Sequence, residues 1–289
     1  MNGRLRATAA ALGLTVALGI AAAAPATAIT GGTVDDENLY DNVGMLLYYT
    51  EDGRFRCTGT LVSPTVVLTA AHCTDGTLGR TLVTFDPLVD EEAPLDELPA
   101  AEDPAAGFTD GTELPPLAVL GTAFTHPDYS DFTDLATWND VGVVVLDEPL
   151  EGIEPAGVAP TGYLDRFRPN VLNKTLFTVV GYGTEVRQAL TGPQKPTPMS
   201  YPIVRRYTEE VGQKLTPQIL QVNGNENDNR GGGGSCFGDS GGPSFTGGYL
   251  VTVTSYGYTD NCRYLGGLQR VDIPEVQDWL AGFGVVPAA

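Results

Sequence analysis

The sequence predicts an all-β protein of short strands, closed by one helix near the C-terminus. Two observations carry the prediction. Glycine (36) and proline (21) supply about a fifth of the 289 residues, a density of turn formers that leaves little room for long helices. Between the turns lie short runs rich in valine, leucine, threonine and tyrosine, the composition of strands. A chain of this length holds one large β-unit or two smaller cores. Its formal net charge is −20, from 36 acidic and 16 basic residues. Nucleic acid needs a basic surface and is therefore not an expected partner, nor is an anionic membrane.

In chain order, residues 1–28 stand apart. Arg4 and Arg6 precede the small apolar stretch from Ala7 to Ala24, and Ala26-Thr27-Ala28 fits a small-x-small cleavage site. This is the pattern of a secretory signal peptide. No later run approaches 20 apolar residues, so no membrane-spanning helix is expected. Secretion makes the four cysteines reasonable as two disulfides.

Residues 29–150 read as a first β-unit. Val43 to Leu68 gives successive strands separated by Glu51-Asp52-Gly53 and Ser63-Pro64. Residues 86–116 interrupt this pattern with Asp86, Asp90, Glu91, Glu92, Asp96, Glu97, Glu102, Asp103, Asp110 and Glu113 set among prolines. An elaborated surface loop is expected there, with a solvated acidic face. Carboxylates can hold Ca²⁺, but no defined ligand loop is present and no metal site is assigned. His126, in His126-Pro127-Asp128-Tyr129, is read as structural. Glu148 to Pro160, rich in proline and glycine, connects to a second unit over residues 151–289. There, Phe177 to Gly183 opens as a strand ending in a glycine turn, Gln188 to Pro202 reads as a loop, and Tyr201 to Thr208 returns as a strand. Leu215 to Leu220 reads as a short helix or turn. Asn223 to Gly234 cannot form a core element and is expected to wall a substrate pocket. Val251 to Gly257 suits an edge strand able to pair with an extended peptide. Val276, Trp279, Leu280 and Phe283 fall at helical spacing, which predicts a packing helix over Ile273 to Phe283.

The chemistry is concentrated in Gly238-Asp239-Ser240-Gly241-Gly242-Pro243. Glycine on either side of the serine lets the backbone turn tightly and a substrate approach. A serine hydroxyl needs a neighbouring base to act as a nucleophile. The chain has only two histidines, and His72 lies in Leu68-Thr69-Ala70-Ala71-His72-Cys73. Asn139-Asp140 precedes the apolar run from Val141 to Leu146. His72, Asp140 and Ser240 thus follow the order of one known catalytic triad, with Asp140 holding the His72 tautomer.

These three segments resemble those of the chymotrypsin/trypsin family of serine endopeptidases, from about Ile29 to Gly284. The resemblance implies two packed six-stranded antiparallel β-barrels with the active site in the cleft between them. It pairs Cys57 with Cys73 and Cys236 with Cys262, and gives no role to a cofactor or metal. It assigns the oxyanion hole to the amides of Gly238 and Ser240. It further implies that Ile29, freed by cleavage after Ala28, inserts its ammonium beside Asp239. The specificity pocket corresponds to Gly234, Ser235, Gly257 and Gly267. With glycine at the floor position, the expected preference is for uncharged Phe, Tyr, Leu or Met before the scissile bond, although Asp260, Glu226 or Asp228 could bring charge from a loop. The expected partners are protein or peptide substrates and protein protease inhibitors, and the expected location is extracellular. The alternative is an inactive, secreted binding protein on the same fold.

Overall fold

The computed structural model describes residues 29, 31–90, 98–187, 197–199, 203–225, 228–230 and 232–288. The expected signal peptide and most of the expected loop over 188–202 lie outside the described residues.

The first six strands are β1 (Val43–Thr50), β2 (Gly53–Ser63), β3 (Val66–Thr69), β4 (Leu78–Thr84), β5 (Ala118–Thr125) and β6 (Gly142–Leu146). They close into an antiparallel barrel in the order β1-β2-β3-β6-β5-β4. Strand β1 is buried on both faces, so it lacks the polar alternation of a surface strand. Leu46 and Tyr48 enter the barrel's own core, while Met45, Leu47 and Tyr49 join a layer that includes Val180, Tyr182 and Ile203 of the second half.

The next six are β7 (Leu176–Gly181), β8 (Arg206–Leu215), β9 (Ile219–Asn223), β10 (Pro243–Thr246), β11 (Tyr249–Gly257) and β12 (Leu265–Arg270). Their order is β7-β8-β9-β12-β11-β10, and β10 pairs back onto β7 through Ser244 and Val179. This second barrel repeats the connectivity of the first. Thr33–Val34 adds a short strand to β8.

The C-terminal helix α1 (Pro274–Ala281) forms where the apolar spacing predicted it, with proline in its first turn. Val276 and Leu280 pack in one cluster with Val62, Val66 and Leu68 of the first barrel and Leu250 and Val253 of the second. The helix therefore clamps the two barrels. Arg205, fully buried, does so elsewhere: it pairs with Asp35 at 2.8 Å and donates to the carbonyls of Val43 and Phe85. His126 is buried against Trp279 at 5.0 Å and accepts the Asp128 amide, a packing role.

Two expectations are corrected. The acidic insertion is more than surface: Leu98, Ala101 and Phe108 are buried in the layer with Tyr49, and Leu88–Asp90 pairs with Ile203–Val204. Those apolar residues were masked by the carboxylates around them. Strand β11 is not an edge over most of its length, because Thr252 and Val253 pair with both β10 and β12. Only its end, Ser255 to Gly257, has neighbours in β12 alone. Of the two readings of Leu215 to Leu220, the turn holds: residues 216–218 join β8 to β9, whose ends Leu215 and Leu220 pair.

Candidate active site

Ser240 sits in a turn that no ordinary strand could make. Gly238 and Gly241 have φ of +97° and +77°, conformations that side chains disfavour. The turn is held from the first barrel by one residue of β2. Thr58 donates its amide to the Ser240 carbonyl at 2.8 Å and its hydroxyl to the Gly238 carbonyl at 2.8 Å. The Thr58 hydroxyl also accepts the Tyr182 amide at 3.1 Å. The amides of Asp239, Gly241 and Gly242 are taken by Cys236, Thr254 and Asp239 carbonyls. Among the described residues, those of Gly238 and Ser240 donate to no acceptor.

Asp239 points inward and is 1% exposed. Its carboxylate accepts the Gly183 amide at 2.7 Å and the Cys236 amide at 2.8 Å. Burial pushes its pKa up to about 7, opposed by those two amides and by the charges of Arg56 and Arg206. Ile29 is also fully buried, in a tight turn whose carbonyl accepts the Gly32 amide at 2.6 Å. Among the described residues no hydrogen bond or ion pair joins Ile29 to Asp239.

His72 lies in a single 3-10 turn, Ala71–Cys73, pinned to β2 by the Cys57–Cys73 disulfide. The second disulfide, Cys236–Cys262, ties the nucleophile segment to the loop after β11. Nδ1 of His72 is 2.9 Å and 3.1 Å from the two Asp140 oxygens, and the His72 amide donates to Asp140 at 3.0 Å. A carboxylate only accepts, so Nδ1 carries the proton and Nε2 is the acceptor nitrogen. Asp140 is fully buried, and its orientation is over-determined. Ser255 donates to it at 2.6 Å and Trp138 donates to Ser255 at 3.0 Å. Asn139, with a strained φ of +42°, turns the chain into β6. The Ser240 turn abuts the end of β3, the strand paired with β6, since a side chain at Gly241 would collide with Thr69 and Ala70. Among the described residues Ser240 and His72 are not hydrogen-bonded; in such sites this bond commonly tightens only with substrate. Cys57, His72 and Cys73 cluster as metal ligands do, but both sulfurs are consumed in the disulfide and Nδ1 is engaged by Asp140.

Beside Ser240 opens a cavity of about 240 Å³, lined among others by Ser235, Ser255, Gly257, Gly266 and Glu210. Three pocket expectations need correction. A side chain at Gly267 would meet the Tyr256 ring, on the other face of β12, and Gly266, paired with Gly257, is the residue that lines the cavity. Adjacent strand residues face opposite ways, so an offset of one exchanges them. Gly234 does not present to the cavity either: a Cβ there would lie 2.5 Å from the Gly224 carbonyl oxygen. Nor is the cavity free of charge, because Glu210 of β8 lines it. Asp260 lines it too, whereas Asp228 is engaged with Arg230 and Asn223. Glu226 lies outside the described residues.

The trypsin family profile matches residues 29–280. The chain belongs to the trypsin family. Among relatives of this trypsin-family chain is a trypsin from Saccharopolyspora erythraea, 29% identical over 79% of this chain and 86% of that protein. Brachyurin from Leptuca pugilator is 29% identical over 73% of this chain and 80% of its own. Among solved structures, HL collagenase superposes with a TM-score of 0.63 at 19% identity, covering 90% of this chain and all of that one. Human heparin binding protein gives 0.57 at 16% identity, covering 90% and 100%. At such identities the structural likeness speaks for the fold.

Sequence reasoning missed what supports this trypsin-family site. Thr58 and Trp138 carry no local signature. Ser255 was visible beside the pocket, but its bond to Asp140 joins residues 115 positions apart. Glu210 carries no signal in the sequence: it is buried with Arg206 and Thr208 on one face of β8 while Glu209 is exposed, but all four are polar and show no apolar alternation.

Proposed function

We propose that this trypsin-family protein is a secreted serine endopeptidase that cleaves proteins or peptides through His72, Asp140 and Ser240. The supporting observation is the buried Asp140 carboxylate at 2.9 Å from His72 Nδ1, which keeps the proton on Nδ1 and leaves the Nε2 lone pair to accept one. Ser240 Oγ attacks the substrate carbonyl carbon as its proton passes to His72 Nε2. The oxyanion forms against the otherwise unused amides of Gly238 and Ser240. His72 then protonates the departing amine. Water, deprotonated by His72, releases the acyl group and restores Ser240. Asp140 stabilises the imidazolium throughout.

Cleavage after Ala28 would give Ile29 a free ammonium, and we assign its partner as Asp239, whose buried carboxylate gains from a further cation. N-terminal sequencing of the active form should then begin at Ile29; an active form beginning upstream rejects the pairing. The two disulfides fit an extracellular location, and among the described residues no helix is long and apolar enough to cross a membrane.

The inactive binding protein is the second reading. The solved neighbour named for heparin binding belongs to the same fold, but a chain of net charge −20 is ill suited to a polyanion. A fluorophosphonate probe decides between the readings. It should label Ser240 covalently, and Ser240→Ala should lose both the label and about 10⁶-fold of peptidase activity. Labelling at another serine, or none in the correctly processed protein, would favour the binding protein.

A further inference from the structure

The cavity beside Ser240 contains an acid that the hydrolytic steps do not use. Glu210 lines the same cavity as Ser240 and Ser235, yet it is 1% exposed. Its Oε1 accepts the Ser235 amide at 2.8 Å, which fixes the carboxyl behind the segment leading to the nucleophile. Its Oε2 has no hydrogen-bond partner among the described residues. No lysine or arginine is among the described residues that line the cavity, while Asp260 adds a second acid at an exposed position. Burial is the main reason that the Glu210 pKa is pushed up to about 7; the Ser235 amide and, more weakly, its nearby hydroxyl oppose it, and the charge of Asp239 adds to it. A carboxyl so placed is costly to ionise until a counter-charge arrives. The walls at Gly257 and Gly266 carry no side chains and admit a long substituent.

We propose that Glu210 is the specificity-determining residue of the pocket, its Oε2 receiving the ammonium or guanidinium of a lysine or arginine on the acyl side of the scissile bond. This rests on the endopeptidase reading. A cation supplies the partner that Oε2 lacks, and in a desolvated site that charge-assisted bond is strong. An apolar residue leaves the oxygen unpartnered, at the cost of a buried unsatisfied acceptor or a retained proton. The recognising charge thus comes from strand β8, whereas the segment before the nucleophile is sealed at Gly234 against Gly224. This departs from the uncharged preference that glycine at that position suggested.

The test has two arms. In the first, kcat/KM is measured on matched peptides carrying Lys, Arg, Leu or Phe before the scissile bond, for the wild type and Glu210→Gln. The proposal expects Lys or Arg to exceed Leu and Phe by at least tenfold, and this ratio to fall at least tenfold in Glu210→Gln. A smaller wild-type preference, or an equal loss on all four peptides in the variant, overturns it. The second arm does not require catalysis. Benzamidine, an aryl cation, is titrated calorimetrically into Ser240→Ala and into Ser240→Ala/Glu210→Gln. Binding should weaken at least tenfold in the double variant, and equal affinities overturn the proposal. If benzamidine discriminates as expected while no peptide is cleaved, the cation pocket stands and the endopeptidase reading falls.

Discussion

The two barrels share one strand order, yet their interiors differ in kind. In β1 to β6 every buried residue is apolar, glycine or threonine. In β7 to β12 the buried set includes Arg206, Glu210, Gln269 and Arg270. Arg270 is matched by Asp272 at 2.8 Å and Asp165 at 2.9 Å, while Glu210 retains an oxygen without a hydrogen bond among the described residues. The first barrel contributes His72 and Asp140 from its rim, and the second contributes Ser240 and the cavity. Under the proposed function, identical topology would carry two jobs, an acid and a base mounted on an apolar barrel and a substrate selected by a barrel with charge inside, and the difference lies in a few side chains rather than in the path of the chain.

The sharpest way to break this division is at Asp140. Asp140→Asn should preserve the fold and lower kcat by about 10⁴-fold, because the amide no longer enforces the His72 tautomer. The Lys-to-Leu ratio should be unmoved, since the proposed selection belongs to the other barrel. A change in the ratio of tenfold or more would show the two jobs to be mixed.

The disulfides come next in size. Cys57–Cys73 and Cys236–Cys262 close loops of 16 and 26 residues, and chain entropy sets the loss on removing either at about 3 kcal/mol. Serine pairs at each should lower the denaturation midpoint by similar amounts, and their kinetics should differ. Loss of the first loosens the histidine turn and should lower kcat. Loss of the second, whose cysteines line the cavity, should raise KM. Equal kinetic effects would contradict the division.

The smallest effect is the dependence of stability on pH. The Glu210 pKa is about 7 when folded, against an ordinary 4.5. Between these values the folded protein holds a proton that the unfolded chain has released, so this group's contribution to stability falls as pH rises from about 4.5 to 7. Glu210→Gln removes that slope. At pH 8 its melting temperature should exceed the wild type's by roughly 2–4 °C, equivalent to about 1 kcal/mol, with little gain at pH 4. The first-barrel interior has no comparable group, so a variant such as Thr60→Val should shift stability equally at both pH values. A pH-independent effect of Glu210→Gln would mean that its carboxyl titrates normally.

What was legible in the sequence had local signatures. The serine turn, the histidine before Cys73, the aspartate before a buried strand and the helix at Pro274–Ala281 each sit within a short segment. What was not legible depends on pairing across distance. Choosing Gly266 over Gly267 requires the β11–β12 register, which one residue reverses. Recognising Glu210 as part of the pocket requires knowing that β8 passes behind Ser235. Phe108 is hidden among acids and prolines, where composition argued for solvent, yet its ring packs 5.2 Å from that of Tyr49.

The bonds made by Thr58 have a consequence for how activity arises during folding. They join residues 180 and 124 positions apart, and such separations are closed late because the chain must first surrender the freedom of the intervening loop. The second barrel could acquire its strands and its disulfide and still leave the serine turn without its outside support. Hydrolytic competence should therefore trail β-sheet formation in a refolding experiment, appearing with the docking of one barrel on the other.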